Sequence, residues 1–150
     1  MTPRPNLTVI RCQDIEASAE FYRIVGLEFE KHRHGSGPEH YAASDGTWTF
    51  ELYPASTKFP ASSSTRIGFA VGSCDGVADR LREAGFSLNT APADSPWGRR
   101  AVAVDPDGHR VELSSPITHK EAYQVAGGRP LSAALLNSCR QRRQLIDCAW

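Results

Sequence analysis

The sequence predicts an α+β fold made of two βαβββ modules in tandem, followed by a C-terminal helix. Three observations carry this. The order strand, helix, strand, strand, strand occurs twice along the chain. Its landmarks recur at nearly one spacing: Gly26 and Gly85 are 59 residues apart, Asp45-Gly46 and Asp107-Gly108 are 62 apart, and Glu51-Leu52 and Glu112-Leu113 are 61 apart. Between the copies, residues 55–64 are rich in Ala, Ser and Thr and read as a linker. The expected boundaries are 7–54 for the first module, 55–64 for the linker, 65–116 for the second module and 117–150 for the tail, all within a single domain.

Each element follows from its local sequence. Residues 7–12 are short and β-branched, as in a strand. Asp14 offers a helix N-cap, Ile15, Ser18, Phe21, Tyr22 and Val25 fall at helical spacing, and Gly26 stops the helix. Residues 27–30 alternate, 40–43 form a candidate strand, and Asp45-Gly46 reads as a tight turn. The turn feeds a strong strand over 47–53, closed by Pro54. In the second copy, residues 66–71 are a strand. Asp75 is the expected cap of a helix holding Val77, Leu81 and Ala84, and Gly85 ends it. Residues 86–88 alternate, 100–104 and 110–113 are strands, and Asp107-Gly108 turns between those two. In the tail, Gly127-Gly128 breaks the chain. Pro130 then starts an amphipathic basic helix with Leu131, Leu135, Cys139 and Ile146 on one face and Arg140, Arg142 and Arg143 nearby. That helix packs on its own domain or a second subunit, or it meets an anionic ligand or membrane surface.

Composition narrows the function. Lys plus Arg and Asp plus Glu are 17 each, so there is no basic excess to favour a nucleic-acid or membrane-surface binder. No apolar run reaches the length of a membrane span, and Met1-Thr2-Pro3-Arg4-Pro5 lacks a signal-peptide core, so a cytoplasmic protein is expected. Cys12, Cys74, Cys139 and Cys148 form no Cys-x-x-Cys pair and read as thiols of a reducing compartment.

Strand alternation sorts the rest. Trp48, Phe50 and Leu52 share a core face, which leaves Thr49, Glu51 and Tyr53 on the other. Val111 and Leu113 turn Arg110, Glu112 and Ser114 outward, and Ile67, Phe69 and Val71 do the same for Arg66, Gly68 and Ala70. If the halves form one curved mixed sheet, Glu51, Arg66, Arg110 and Glu112 line a common concave surface.

The chain resembles the vicinal oxygen chelate superfamily, which includes glyoxalase I, extradiol dioxygenases, fosfomycin-resistance enzymes and bleomycin- and mitomycin-binding resistance proteins. The resemblance covers residues 7–116. Asp14-Ile15-Glu16-Ala17-Ser18 with Phe21-Tyr22 and Val25-Gly26-Leu27 carries it, together with Asp105-Pro106-Asp107-Gly108-His109 and Val111-Glu112-Leu113. Pro96-Trp97-Gly98-Arg99-Arg100 is similar to a segment common in the drug-binding branch. The resemblance implies paired modules around a cup, completed in a homodimer. It also implies four metal-ligand positions, which fall here on Leu7, Glu51, Arg66 and Glu112. Leu7 has no lone pair and Arg66 is cationic, so the expectation is a site without metal or other cofactor, in which Arg66 pairs with Glu51, Glu112 or both. That cluster could also be purely structural.

Among the histidines, His32 and His34 are spaced for shared ligation or for solvated surface, and His40 is the best single candidate for a ligand contact or general base. His109 and His119 are expected to be exposed. Val9, Arg11, Tyr53, Trp97 and Arg99 could complete the cup, with Trp97 in a turn, either stacking on a flat ligand or plugging the sheet end.

Two functions result. The first is a metal-free protein that binds a small antibiotic or natural product through Arg11, His40, Glu51, Tyr53, Arg66, Trp97, Arg99 and Glu112. The second is a glyoxalase- or dioxygenase-like enzyme acting on a small oxygenated substrate, with a divalent metal on Glu51 and Glu112 or with one of them as base. A third reading, a regulatory domain docking through its basic tail, rests on the tail alone.

Overall fold

A computed structural model describes residues 1–117 of the chain. The expected tail helix, His119, Cys139 and Cys148 lie outside the described residues. The first module runs β1 (Leu7–Cys12), α1 (Ile15–Val25), β2 (Glu30–His32), β3 (His40–Ser44) and β4 (Thr49–Pro54). The second runs β5 (Arg66–Ala70), α2 (Cys74–Glu83), β6 (Leu88–Ser95), β7 (Gly98–Val104) and β8 (Arg110–Ser115). Each module is a mixed four-stranded sheet, ordered β1-β4-β3-β2 and β5-β8-β7-β6. β1 and β4 are parallel, as are β5 and β8, because a helical crossover lies between them; the hairpin-linked strands are antiparallel.

The helices are capped from the sequence. Asp14 accepts from the amides of Glu16 at 2.9 Å and Ala17 at 3.1 Å, and Gly26, at φ 122°, closes α1. At α2 the cap is Ser73, whose hydroxyl accepts from the Gly76 amide at 3.1 Å. Asp75, the expected cap, lies in the first turn instead, where its carboxylate takes a guanidinium from β7. Two strands also differ from expectation. β2 is shorter and later than the alternation at 27–30 suggested, because Leu27 and Phe29 pack against the core from the connecting segment. β6 extends through Pro92 to Ser95 as an edge strand, with register shifts on either side of Thr90. An edge position tolerates a residue without an amide hydrogen, which explains how a proline stands inside it.

The strands form two sheets rather than one hydrogen-bonded surface. The modules join through their helix-bearing sides. Phe50 of β4 meets Phe69 of β5 edge-on at 5.8 Å, Tyr22 of α1 lies 6.0 Å from Phe69, and Phe21 lies 5.1 Å from Phe86. One continuous core results, containing Ile10, Phe21, Tyr22, Phe50, Leu52, Leu81, Val111 and Leu113. Each sheet therefore turns its open face away from that shared core.

A polar seam crosses the same junction. Asp105 accepts from the Tyr22 hydroxyl at 2.9 Å, from His109 Nδ1 at 2.8 Å, and from the amides of Asp107 and His109. Asp107 in turn accepts from the Gln13 amide at 2.9 Å and the Ser18 hydroxyl at 3.4 Å. His109, expected on the surface, is fully buried here, with Nδ1 held by Asp105 and Nε2 without a hydrogen-bond partner among the described residues. The Asp105–His109 segment thus ties the second module to α1 of the first. Burial pushes the nearby Cys12 thiol up to about 12, which suits a packing residue and not a nucleophile.

Candidate functional site

The register assigns the two open faces. In the first module, Leu7, Val9 and Arg11 of β1 lie beside Glu51 and Tyr53 of β4, Ala42 and His40 of β3, and Glu30 and His32 of β2. In the second, Arg66, Gly68 and Ala70 of β5 lie beside Arg110, Glu112 and Ser114 of β8, and Arg100 and Val102 of β7.

On the first face, His40 is buried. Its ring stacks on Tyr53 at 4.1 Å, with an interplanar angle of 10°, and also packs against His34 and His32. Nδ1 lies 3.3 Å from the Pro38 carbonyl oxygen, and Nε2 lies 3.3 Å from the Tyr53 hydroxyl. Both ring nitrogens are engaged within the protein. Burial, with the Glu51 charge adding to it, raises the Tyr53 phenol above its ordinary range, so it is neutral near pH 7. Arg11 is held over the rings of Tyr53 at 4.7 Å and Phe59 at 4.8 Å. Glu51 is half-buried and has no ion-pair partner among the described residues. A cleft of about 570 Å³ opens at the outer end of this face, lined by Glu28, Glu30, His32, Ala42 and Thr49.

On the second face the charges converge on Glu112. Arg66 Nη2 donates to its Oε2 at 2.7 Å, and Arg100 Nη2 reaches the same oxygen. Partial burial alone would raise the Glu112 carboxyl, but the two guanidiniums outweigh it and hold the group below the usual glutamate range. Arg66 therefore pairs with Glu112 and not with Glu51, which lies on the other module's face. Trp97 occupies the two-residue connection between β6 and β7, is 79% exposed, and has the Arg100 guanidinium 5.8 Å from its ring. Trp97, Arg100, Glu112 and Ser114 line a cleft of about 350 Å³.

Arg99 is on the helix side. Its Nε and Nη2 grip both oxygens of Asp75 at 2.8 Å, and Nη1 reaches Asp94 at 3.1 Å. This fork clamps β7 to α2 and keeps Arg99 out of the open face. Arg100, which sequence reasoning did not single out, takes the place expected of its neighbour. The parity of β7 could have revealed it. However, the strand alternates Ala101 and Ala103 with Val102 and Val104, and the larger residues suggest the wrong core side. Here the alanines are buried on the side of β7 that packs against α2.

The four positions that the family resemblance assigns to a metal do not fit a divalent ion. Leu7 has no donor atom, and the Arg66 guanidinium sits on Glu112. Among the described residues, no three His, Cys, Asp or Glu side chains are arranged to hold a metal.

Two βαβββ modules with open, polar sheet faces define the glyoxalase, bleomycin resistance protein and dioxygenase superfamily, and the chain belongs to it: the family model matches residues 4–113. An anthracycline biosynthesis protein of Streptomyces peucetius, DnrV, is 42% identical over 60 residues, which is 40% of this chain and 21% of that protein. The chain thus spans about a fifth of DnrV's length. Among solved structures, TnmS3, an antibiotic binding protein from Streptomyces sp. CB03234, superposes with a TM-score of 0.63 at 26% identity, over 77% of this chain and 97% of that one. The oxidase ChaP-H2 superposes with a TM-score of 0.58 at 25% identity, over 78% and 97%. The structural neighbours thus include an antibiotic binding protein and an oxidase.

Proposed function

We propose that this chain is a metal-free binding protein for a small natural product of the antibiotic class, held against the open sheet faces without being transformed. One observation carries the reading: Arg66 and Arg100 close on Glu112 beside the exposed ring of Trp97. Here a guanidinium does by ion pairing what a dication does in metal-dependent relatives, and it repels such an ion. The indole supplies an apolar plane at the mouth of a polar cleft, the combination that binds flat organic molecules. The likeness to TnmS3 and to DnrV supports the ligand class.

The ligand-contacting set is Glu112, Arg66, Arg100 and Trp97 on the second face, with Glu51, Tyr53 and Arg11 on the first. Arg99 serves the fold, and His40 acts through its stack with Tyr53. The binding unit is a homodimer in which the first face of one chain meets the second face of its partner. Leu7 and Val9 are 53% and 41% exposed on the first face. Glu30 and Glu51 there complement Arg66 and Arg110 on the second. Both described cysteines are buried free thiols, as suits the cytoplasm. No helix among the described residues is long and apolar enough to cross a membrane.

The oxidase neighbour favours a second reading, an enzyme using Glu51 or Glu112 as base. Glu112 is the weaker candidate, because its carboxyl is held below the usual range.

A titration of planar polycyclic antibiotics, followed by Trp97 fluorescence and calorimetry, tests the binding reading. Saturable, near-stoichiometric binding that weakens about tenfold or more in Trp97→Ala is expected. Binding by no member of the panel would overturn the reading.

A further inference from the structure

The charge count on the second face carries the ligand chemistry one step further. Arg66, Arg100 and Arg110 stand on it, and Arg66 and Arg110 are direct partners across β5 and β8. Glu112 is the acid that answers them. It does so through one oxygen, Oε2, which takes Nη2 of both Arg66 and Arg100. Neither contact uses the parallel two-bond fork that makes a guanidinium–carboxylate pair strong. Each guanidinium has five N–H donors, so most of this donor capacity is free to take a second anion. Arg110 is exposed and has no carboxylate partner among the described residues. Asp94, which edges the neighbouring cleft of about 290 Å³, is already paired with Arg99 and does not cancel the excess. That cleft and the one beneath Trp97 share Arg100 as a wall, so a group placed between them reaches Arg66 and Arg100 while its neighbouring ring lies under the indole.

Building on the binding reading, we propose that the ligand is a flat aromatic molecule bearing an acidic group, a carboxylate or ionised phenol, which docks on Arg66 and Arg100 while the ring system stacks on Trp97. Glu112 acts as an internal counter-anion. It holds the two arginines upright in the empty cleft and competes with the ligand's acid for them, so it sets selectivity against weak or small anions.

The test uses anthraquinone-2-carboxylate and its methyl ester as probes on the full chain, by calorimetry and Trp97 quenching. The expected results are acid binding at least about tenfold tighter than the ester, a preference that shrinks as salt is raised, and its loss in Arg100→Gln and Arg66→Gln. Glu112→Gln should widen the preference for the acid over the ester, which a merely structural role for the cluster would not do. Circular dichroism and thermal melting confirm that the variants are folded. If the ester binds as tightly as the acid, the acidic-ligand claim fails while the binding reading stands. If neither probe nor any neutral polycycle binds, both fail. If inorganic phosphate alone displaces the acid fully at equal concentration, the aromatic part contributes nothing and the claim fails.

Discussion

Asp105 shows how much one carboxylate can organise. It takes the Tyr22 hydroxyl, Nδ1 of the His109 imidazole and two backbone amides, all at the seam between the modules. Replacing it by Ala strands two buried polar side chains and should cost about 3 kcal/mol in urea unfolding, whereas Tyr22→Phe should cost about 1 kcal/mol. At Glu112 the prediction concerns pH. Its carboxyl is held down in the folded chain, so its contribution is present above the unfolded pKa and is lost as pH falls through the folded one. Thermal melts of wild type and Glu112→Gln should therefore differ in their acid limb, below the ordinary glutamate range, and run parallel near neutrality. That Arg66 pairs with a glutamate was legible in the sequence, but the choice of Glu112 over Glu51 was not, because it depends on which strands are neighbours. Arg100 was not, because alanine on the core side of β7 inverts the usual rule that the larger apolar residue is inside.

The β6–β7 hairpin is the element on which binding depends, and Gly98 governs it. At φ 125° the residue sits where side chains are rarely accommodated, and a Cβ there would lie 2.5 Å from the Ser115 carbonyl oxygen. Gly98→Ala should lower thermal stability by several degrees and displace Trp97, so that loss of ligand quenching accompanies the stability loss. At α2, Ser73→Ala should cost about 1 kcal/mol. Asp75→Ala instead releases Arg99 from its two-oxygen clamp and acts on β7, not on the helix start. The sequence placed α1, α2 and the strong strands β4, β5 and β8, whose apolar periodicity is clear. It mislaid β2 and β6, short or proline-bearing edge strands with little apolar pattern to detect.

At the scale of the molecule the two expected βαβββ modules are present, as two four-stranded mixed sheets. A repeat in sequence says that two modules exist but not which sides meet. Aromatic packing decides this: Phe50, Phe69 and Tyr22 join the helix-bearing sides, and the proposed homodimer would match the charged faces between copies. Sedimentation should therefore show a dimer at moderate salt that dissociates as ionic strength rises, and Arg110→Glu should weaken it. The neutral formal charge of the chain conceals an uneven distribution, in which Glu30 and Glu51 outnumber Arg11 on one face and Arg66, Arg100 and Arg110 outnumber Glu112 on the other.

Mass balance on a metal-stripped sample tests the central claim most directly. Chelator-treated protein is saturated with an anthracycline, its binding is measured by Trp97 quenching, and the ligand is recovered and identified by mass spectrometry. A metal-free binding protein gives undiminished stoichiometric binding, with the ligand recovered chemically unchanged. Binding that disappears with the chelator and returns with a divalent ion, or recovery of an oxidised or rearranged product, would contradict that reading.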